Sequence, residues 1–404
     1  MKKKIIFIQS FKFLDFHYKL YEINKLKKYF DVECHDITLI KNKKIEFHYR
    51  YLKNQFKIYK FNNFFIWKKK IFETLKKYND DLIIFFVHFP TTFFELYIYW
   101  KLIRKKSNVC VFDFNNLISL NLNENSEIYE KIFYKINRFI TRPKQIINHK
   151  KISLISFIVN KLAKHIYPKY IFVNSKNYYL VNKKKWKKTK VRRIHSWDGS
   201  QFINFKKKTK SKNKKVATYL SAFSLKSASD SANYNTSRLE NSKYILKSLD
   251  NFFNYLEKNL NFHITIAKHP REEENFNSTI YKNKKRFASK YLTSELVFDS
   301  NIVITTMSSA ISFAALFKKP ILFIITNEHY KNISLVKYTK AIAKYFNSEL
   351  VNIDLNKDYK INIKLNNSTI EKYKHYRKNY LISDKFKHKL NSQILTKMIS
   401  SVFL

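Results

Sequence analysis

The feature that most constrains this chain is a series of short apolar runs, rich in β-branched residues and separated by segments with helical spacing. The first runs are 4–8 (KIIFI), 32–38 (VECHDIT), 82–88 (LIIFFVH) and 109–114 (VCVFDF); 170–174 and 191–195 follow. Later come 216–220 (VATYL), 263–267 (HITIA), 302–306 (IVITT) and 320–326 (PILFIIT). A near-continuous apolar run of this length reads as a strand buried on both faces, the habit of parallel sheets covered by helices. Between the runs lie segments with apolar residues one helical turn apart: 17–30 with Leu20, Ile23, Leu26 and Phe30; 67–78; and TFFELYIYWKLIRKK after residue 91. The segment 238–259 continues the pattern with Tyr244, Leu249, Phe252, Phe253 and Leu256. Residues 41–66 carry no clear period, and 126–165 read as helical in two pieces around Pro143. The alternation predicts an α/β protein of two doubly wound, Rossmann-like domains facing a cleft.

At 404 residues the chain is long enough for two cores. The charge run 206–215 (KKKTKSKNKK) reads as a solvated linker. It separates an N-terminal domain, 1–205, from a C-terminal domain, 216–365. A helical segment, 366–404, closes the chain and is long enough to pack on both domains. No internal repeat is evident.

A net charge of +49 suggests nucleic acid or an anionic surface as partner. The lysines are spread along the whole chain, however, and residues with AT-rich codons are abundant throughout. Base composition therefore accounts for the bias, and nucleic-acid binding is not the expected role. The charge still permits a peripheral contact with the anionic inner leaflet of a membrane. The leading KKKIIFI is too short for a signal peptide, and no run approaches the roughly 18 apolar residues of a membrane span. The expectation is a cytoplasmic protein. Cys34 and Cys110 lie in strand-like settings and read as buried free thiols, and no Cys/His cluster has metal-ligand spacing.

Two polar groups lie where predicted strands of the second domain end. Lys268, His269, Pro270 and Arg271 follow HITIA; Thr305, Thr306, Met307, Ser308 and Ser309 follow IVI and open the segment SAISFAALF. Ligands of open α/β sheets bind beyond the carboxyl ends of the strands. A helix start leaves backbone N–H groups unpaired, and Ser308 or Ser309 can cap them or share them with a bound phosphate. The ordinary cap is the commoner case; cationic and imidazole donors at the neighbouring strand end favour the phosphate. With one glycine in the chain, no glycine-rich dinucleotide loop or P-loop exists. That glycine, Gly199, lies in the tract HSWDGSQFI, where it suits either a positive-φ or close-approach position or a plain Asp-Gly turn. Asp198 beside it is a candidate general base. His88, Asp113 and Asn115 follow two first-domain strands and are candidates on the acceptor side, each equally suited to a structural role.

The tract from Tyr244 through His269-Pro270-Arg271 to Ser308-Ser309 and PILFI resembles bacterial surface-carbohydrate biosynthesis proteins of the glycosyltransferase B-type fold. VECHDIT and HSWDGSQFI fit the same group more weakly. The His-Pro and Ser-Ser elements are similar to those of bacterial sialyltransferases and capsule polymerases, which use CMP-activated sugars. The resemblance implies that His269, Ser308 and Ser309 face the donor phosphate and that Asp198 serves as base; their places at the same strand ends add Lys268, Arg271 and Thr306 to the phosphate-binding candidates. Trp197 stands where those enzymes carry the first member of an acidic pair. The implied activity is a metal-independent, inverting transfer of a sugar from a nucleotide donor to a surface polysaccharide or lipopolysaccharide acceptor. No cofactor and no nucleic-acid partner are implied. A CDP-polyol phosphotransferase and a non-catalytic glycan-assembly scaffold are the alternatives.

Overall fold

The computed structural model describes residues 2–10, 13, 15–41, 57–90, 92–105, 108–114, 154–155, 158–159, 161–163, 165–205, 215–221, 242–269, 280, 286–331, 333–355 and 364–400. The chain packs into two compact units. Unit 1 comprises 1–115, 123–197 and 383–404; unit 2 comprises 116–122 and 198–382. The predicted linker 206–214 lies outside the described residues.

Among the described residues unit 1 holds seven parallel strands: β1 (Lys4–Gln9), β2 (Asp31–Asp36), β3 (Lys57–Lys60), β4 (Leu82–Phe86), β5 (Asn108–Asp113), β6 (Tyr170–Val173) and β7 (Lys190–Arg193). Their spatial order is β3-β2-β1-β4-β5-β6-β7. The side chains of β1 sort by parity. Ile5 and Phe7 enter one core cluster with Phe85, Phe112 and Phe172; Ile6 and Ile8 enter another with Trp67, Ile84 and Tyr99. Both faces of the strand are therefore covered, as its unbroken apolar run requires. Phe7 stacks on Phe85 and Tyr21, each at 5.3 Å between ring centroids. Lys4 is a buried cation on β1: its Nζ lies 2.5 Å from Glu33 Oε1 and 2.6 Å from Asp31 Oδ2 on the paired strand β2.

Unit 2 repeats the plan with β8 (Val216–Leu220), β9 (His263–Ala267), β10 (Phe287–Ser289), β11 (Ile302–Thr305), β12 (Ile321–Ile325) and β13 (Leu350–Asn352). All pairings are parallel, in the order β10-β9-β8-β11-β12-β13. Parity again sorts the core: Val303, Ile321 and Phe323 face one cluster, and Ile302, Ile304, Leu322 and Ile324 the other. In both sheets the strand order reverses once, beside the first strand. The two doubly wound domains expected from the apolar runs are present.

Several local readings differ. The helical stretch 17–30 is two short helices, Asp15–Leu20 and Ile23–Leu26, because Glu22 adopts the left-handed conformation at φ 51°. Strands β3, β10 and β13 were not read from the sequence; each is three or four residues long at or next to a sheet edge, and none has a strong apolar run. Gly199 has neither a positive φ nor a turn: it lies in the first turn of the helix Trp197–Asn204, and no described glycine has φ above zero. The left-handed positions fall instead to Glu22, Asn79, Asn261, Lys318 and Asn347. Asparagine, whose side chain tolerates this region, takes three of them. Most of 126–165 lies outside the described residues. Cys34 and Cys110 are both buried and free.

The closing segment is not one helix. A helix over Asn367–Tyr376 widens into a π-turn, Arg377–Leu381, and ends at Ile382; Asn391–Ser400 forms a second helix. The first belongs to unit 2 and the second to unit 1. His195 fastens the second to unit 1. Its Nδ1 accepts the Ser383 N–H at 3.0 Å, and its Nε2 donates toward the Phe386 and Lys389 carbonyls, each at 3.0 Å. Asn391 exchanges two hydrogen bonds with the His195 backbone, each 3.1 Å. The Ser392 N–H donates to the Glu22 carboxylate at 3.1 Å, and its hydroxyl donates to the same oxygen.

Candidate functional site

The carboxyl edge of the unit 2 sheet is set by register. Leu220 at the end of β8 pairs with Ala267 of β9 on one side and Thr305 of β11 on the other. Three neighbouring strands thus end level, at the point where the strand order reverses. Two strand spacings put the ends of β9 and β11 about 10 Å apart. The Thr305 hydroxyl donates to the Leu220 carbonyl at 3.3 Å and ties β11 to β8 at that edge.

Each flanking group starts from this line. Lys268 keeps its N–H on the Ser289 carbonyl at 2.8 Å, so β9 stays in register with β10 until the strand ends; His269 follows and is half-buried. Arg271 lies outside the described residues. On the other side, Thr306 is buried, Ser308 half-buried and Ser309 exposed. The helix predicted to open at the serine pair begins later, at Ile311, with Ala310 in the capping position and no side-chain cap. Ser308 caps a tight turn instead: its Oγ accepts the Ala310 N–H at 3.2 Å. The Ile311, Ser312 and Phe313 N–H groups bond three residues back, to Ser308, Ser309 and Ala310. These short-range bonds use N–H groups that a simple helix start would leave open. The Ser308 hydroxyl proton is still available for donation, since an accepting hydroxyl retains its O–H.

Asp198 belongs to unit 2, whereas the sequence reading grouped it with the first domain as its base. Its Oδ2 accepts the Ser312 hydroxyl at 2.5 Å, which ties the helix Trp197–Asn204 to the helix that follows the serine turn. Burial pushes the Asp198 carboxyl up to about 6, against the Ser312 hydrogen bond that lowers it. Ser312 was not picked out from the sequence. The only signal was a hydroxyl one helical turn beyond Ser308 in an otherwise apolar segment.

The unit 1 edge holds the acceptor-side candidates. His88, just past β4, has Nε2 3.2 Å from Ser10 Oγ, just past β1. Asp36 at the end of β2 accepts the Phe13 N–H at 2.9 Å, the Thr38 N–H at 3.0 Å and the Thr38 hydroxyl at 2.6 Å. Asp113 ends β5 and accepts from Asn182 Nδ2 at 3.2 Å; burial raises its pKa and the Asn182 hydrogen bond lowers it. Asn115 lies outside the described residues. Among the described residues no cluster of His, Cys, Asp and Glu could hold a metal ion, and no helix is long and apolar enough to cross a membrane.

No protein-family model matches the sequence, and no curated protein matches it. Solved structures match in fold. A variant of the wall teichoic acid polymerase TagF is 12% identical, covers 99% of this chain and 89% of its own, and has a TM-score of 0.52. The UDP-GlcNAc 2-epimerase of Methanocaldococcus jannaschii is 14% identical, covers 98% of this chain and all of its own, and has a TM-score of 0.44. The two strand orders and the likeness to TagF give this chain the glycosyltransferase B-type fold of two Rossmann-like domains.

Proposed function

We propose that the protein is a glycosyltransferase that moves a sugar from a nucleotide donor to a surface-glycan acceptor, with CMP-sugars the favoured donors. The donor phosphate is held at the carboxyl edge of unit 2. One observation carries this reading: the register of β9, β8 and β11 brings Lys268 and His269 to one side of the Leu220 strand end and Thr306, Ser308 and Ser309 to the other. Cationic, imidazole and hydroxyl donors converging at a strand-order reversal suit a phosphate. Charge develops on the leaving phosphate as the sugar bond breaks. Donors fixed by the strand ends stabilise that charge more in the transition state than in the ground state.

A first-domain carboxylate is the base expected from the resemblance. Asp198 has the raised pKa a base needs, but its Ser312 hydrogen bond favours a second role, holding the serine turn in place. Asp113, at the end of β5, then remains as the base candidate on unit 1. Because the same anion site serves CDP-activated donors, transfer of a polyol phosphate belongs in the same assays.

The test is donor-dependent transfer by the purified protein with His269→Ala alongside. Turnover should fall strongly with the thermal unfolding curve unchanged; near-normal turnover removes His269 from the mechanism. Asp198→Asn separates the two roles. Loss of turnover with donor affinity retained assigns the base, whereas weakened donor binding, reproduced by Ser312→Ala, assigns positioning.

A further inference from the structure

Unit 1 carries an apolar groove of about 950 Å³ remote in sequence from the donor-site residues. One wall is the helix Phe93–Arg104, whose buried face is Glu95, Leu96, Ile98, Tyr99 and Leu102. Phe93, Tyr97, Trp100 and Arg104 recur at four, three and four residues and form a second stripe, which lines the groove. Leu162 and Tyr167 belong to the other wall. These side chains are not packed away: Phe93 is 50% exposed, Tyr97 41% and Leu162 46%. The apolar surface continues through Phe64, which contacts Tyr97 at 6.1 Å and Phe65 at 5.8 Å between centroids. Phe65 is 74% exposed and its neighbour Ile66 60%.

Cations sit on these same rings. Lys101 Nζ lies 5.1 Å from the Trp100 centroid and 5.6 Å from that of Tyr97; Arg104 Cζ is 5.2 Å from Trp100, and Lys188 Nζ 5.6 Å from Tyr167. Among the described residues, no carboxylate lines the groove. An exposed apolar face rimmed by cations, with no acidic group among its described lining residues, complements one surface in both respects, an apolar layer beneath anionic headgroups. Aromatic rings with a polar edge settle at the level of the headgroups, and lysine and arginine stems reach past them to the phosphates. The net charge of +49 adds long-range attraction to such a surface.

We infer that this face of unit 1 docks on an anionic phospholipid bilayer, with the groove receiving lipid acyl chain. The protein then lies on the membrane surface and does not span it.

Flotation with vesicles of phosphatidylcholine, with and without phosphatidylglycerol, tests the inference. The wild type should float only with phosphatidylglycerol present. Binding should weaken from 0.1 M to 1 M salt, as the Debye length falls from about 10 Å to about 3 Å. The quadruple variant Phe65→Ser, Ile66→Ser, Phe93→Ser, Tyr97→Ser keeps the net charge and opens no core. It should lose about tenfold or more in vesicle affinity. Tryptophan gives an independent readout. Of the four tryptophans, Trp67, Trp186 and Trp197 are buried and Trp100 is the partly exposed one. Brominated phosphatidylglycerol should quench the wild type, and Trp100→Phe should float normally without that quenching. Equal vesicle affinity of the quadruple variant and the wild type would overturn the inference. So would failure of the wild type to bind phosphatidylglycerol vesicles, or a dimer in solution that this variant splits without any vesicle binding.

Discussion

The two sheets share a strand order and differ at their carboxyl edges. In unit 1 the polar groups at the strand ends engage one another or their own loops: Ser10 with His88, Asp36 with Thr38 and the Phe13 N–H, Asp113 with Asn182. In unit 2 the ends of β8, β9 and β11 carry no carboxylate among the described residues. They gather lysine, imidazole and hydroxyl groups around one level line. The same winding over six strands, with a seventh in unit 1, thus supports an edge whose acidic groups are engaged by neighbouring side chains and backbone and an edge suited to an anion. The scaffold fixes where a ligand goes, and the residues just past each strand decide which ligand.

If that division is right, changes in the unit 1 core act on stability and changes at the unit 2 edge act on turnover, with Asp113, the base candidate, the unit 1 edge group whose loss also lowers turnover. The largest effect expected is from Lys4→Ala. Removing the cation leaves the Glu33 carboxylate buried without its partner, at a cost of about 3–5 kcal/mol in urea unfolding. Burial alone would raise the Glu33 pKa, but His35 and Lys4 together hold it at about 2. In the wild type that stabilisation is present above the ordinary carboxylate range, and is lost as pH falls from about 4.3 toward about 2. Lys4→Ala should flatten this acid limb. Next comes His269→Ala, expected to lower kcat about 10²–10³-fold without moving the melting curve. His88→Ala should cost less turnover, and the reverse ranking would break the contrast between the edges.

His195→Asn should cost about 1–3 kcal/mol, because the buried Ser383 N–H and two carbonyls lose their partner. Burial lowers the His195 pKa, against the Phe386 and Lys389 carbonyls that raise it. The neutral ring is the folded form, so its contribution is complete above about 6.5 and is lost as pH falls below that value. The acid slope below about 6.5 should shrink in the variant. The smallest effect is from Asp198→Asn. A carboxyl pushed up to about 6 favours the folded state at low pH, and that preference fades as pH rises from about 4 to about 6. Melting curves of the variant should lack this decline.

The fold was legible wherever burial on both faces forces an unbroken apolar run. Strands β1, β4, β9, β11 and β12 follow from KIIFI, LIIFF, HITIA, IVIT and ILFII. The short strands β3, β10 and β13 were not, because none of their residues is buried and their sequences KIYK, FAS and LVN carry no run. His269 and Ser308 were legible as residues next to strand ends. Ser312 was not, because a serine in an apolar helix acquires meaning only once Asp198 is seen beside it. The two helices of the closing segment read as one helical segment, since the π-turn at Arg377–Leu381 has no distinctive composition. The groove aromatics read as ordinary helical apolar positions; their exposure comes from packing that the period alone does not encode.

The most direct test of the account is calorimetric titration of the purified protein with CMP, CDP, UDP, GDP and ADP, on the wild type, His269→Ala, Ser308→Ala and His88→Ala. A nucleotide held at the unit 2 edge stabilises only the folded state, so thermal shifts must follow the titrations. The account predicts one preferred nucleotide, with CMP first in expectation. Its affinity should drop in His269→Ala and Ser308→Ala and stay unchanged in His88→Ala. Binding that survives both unit 2 substitutions, or no binding of any nucleotide by the folded protein, would contradict it.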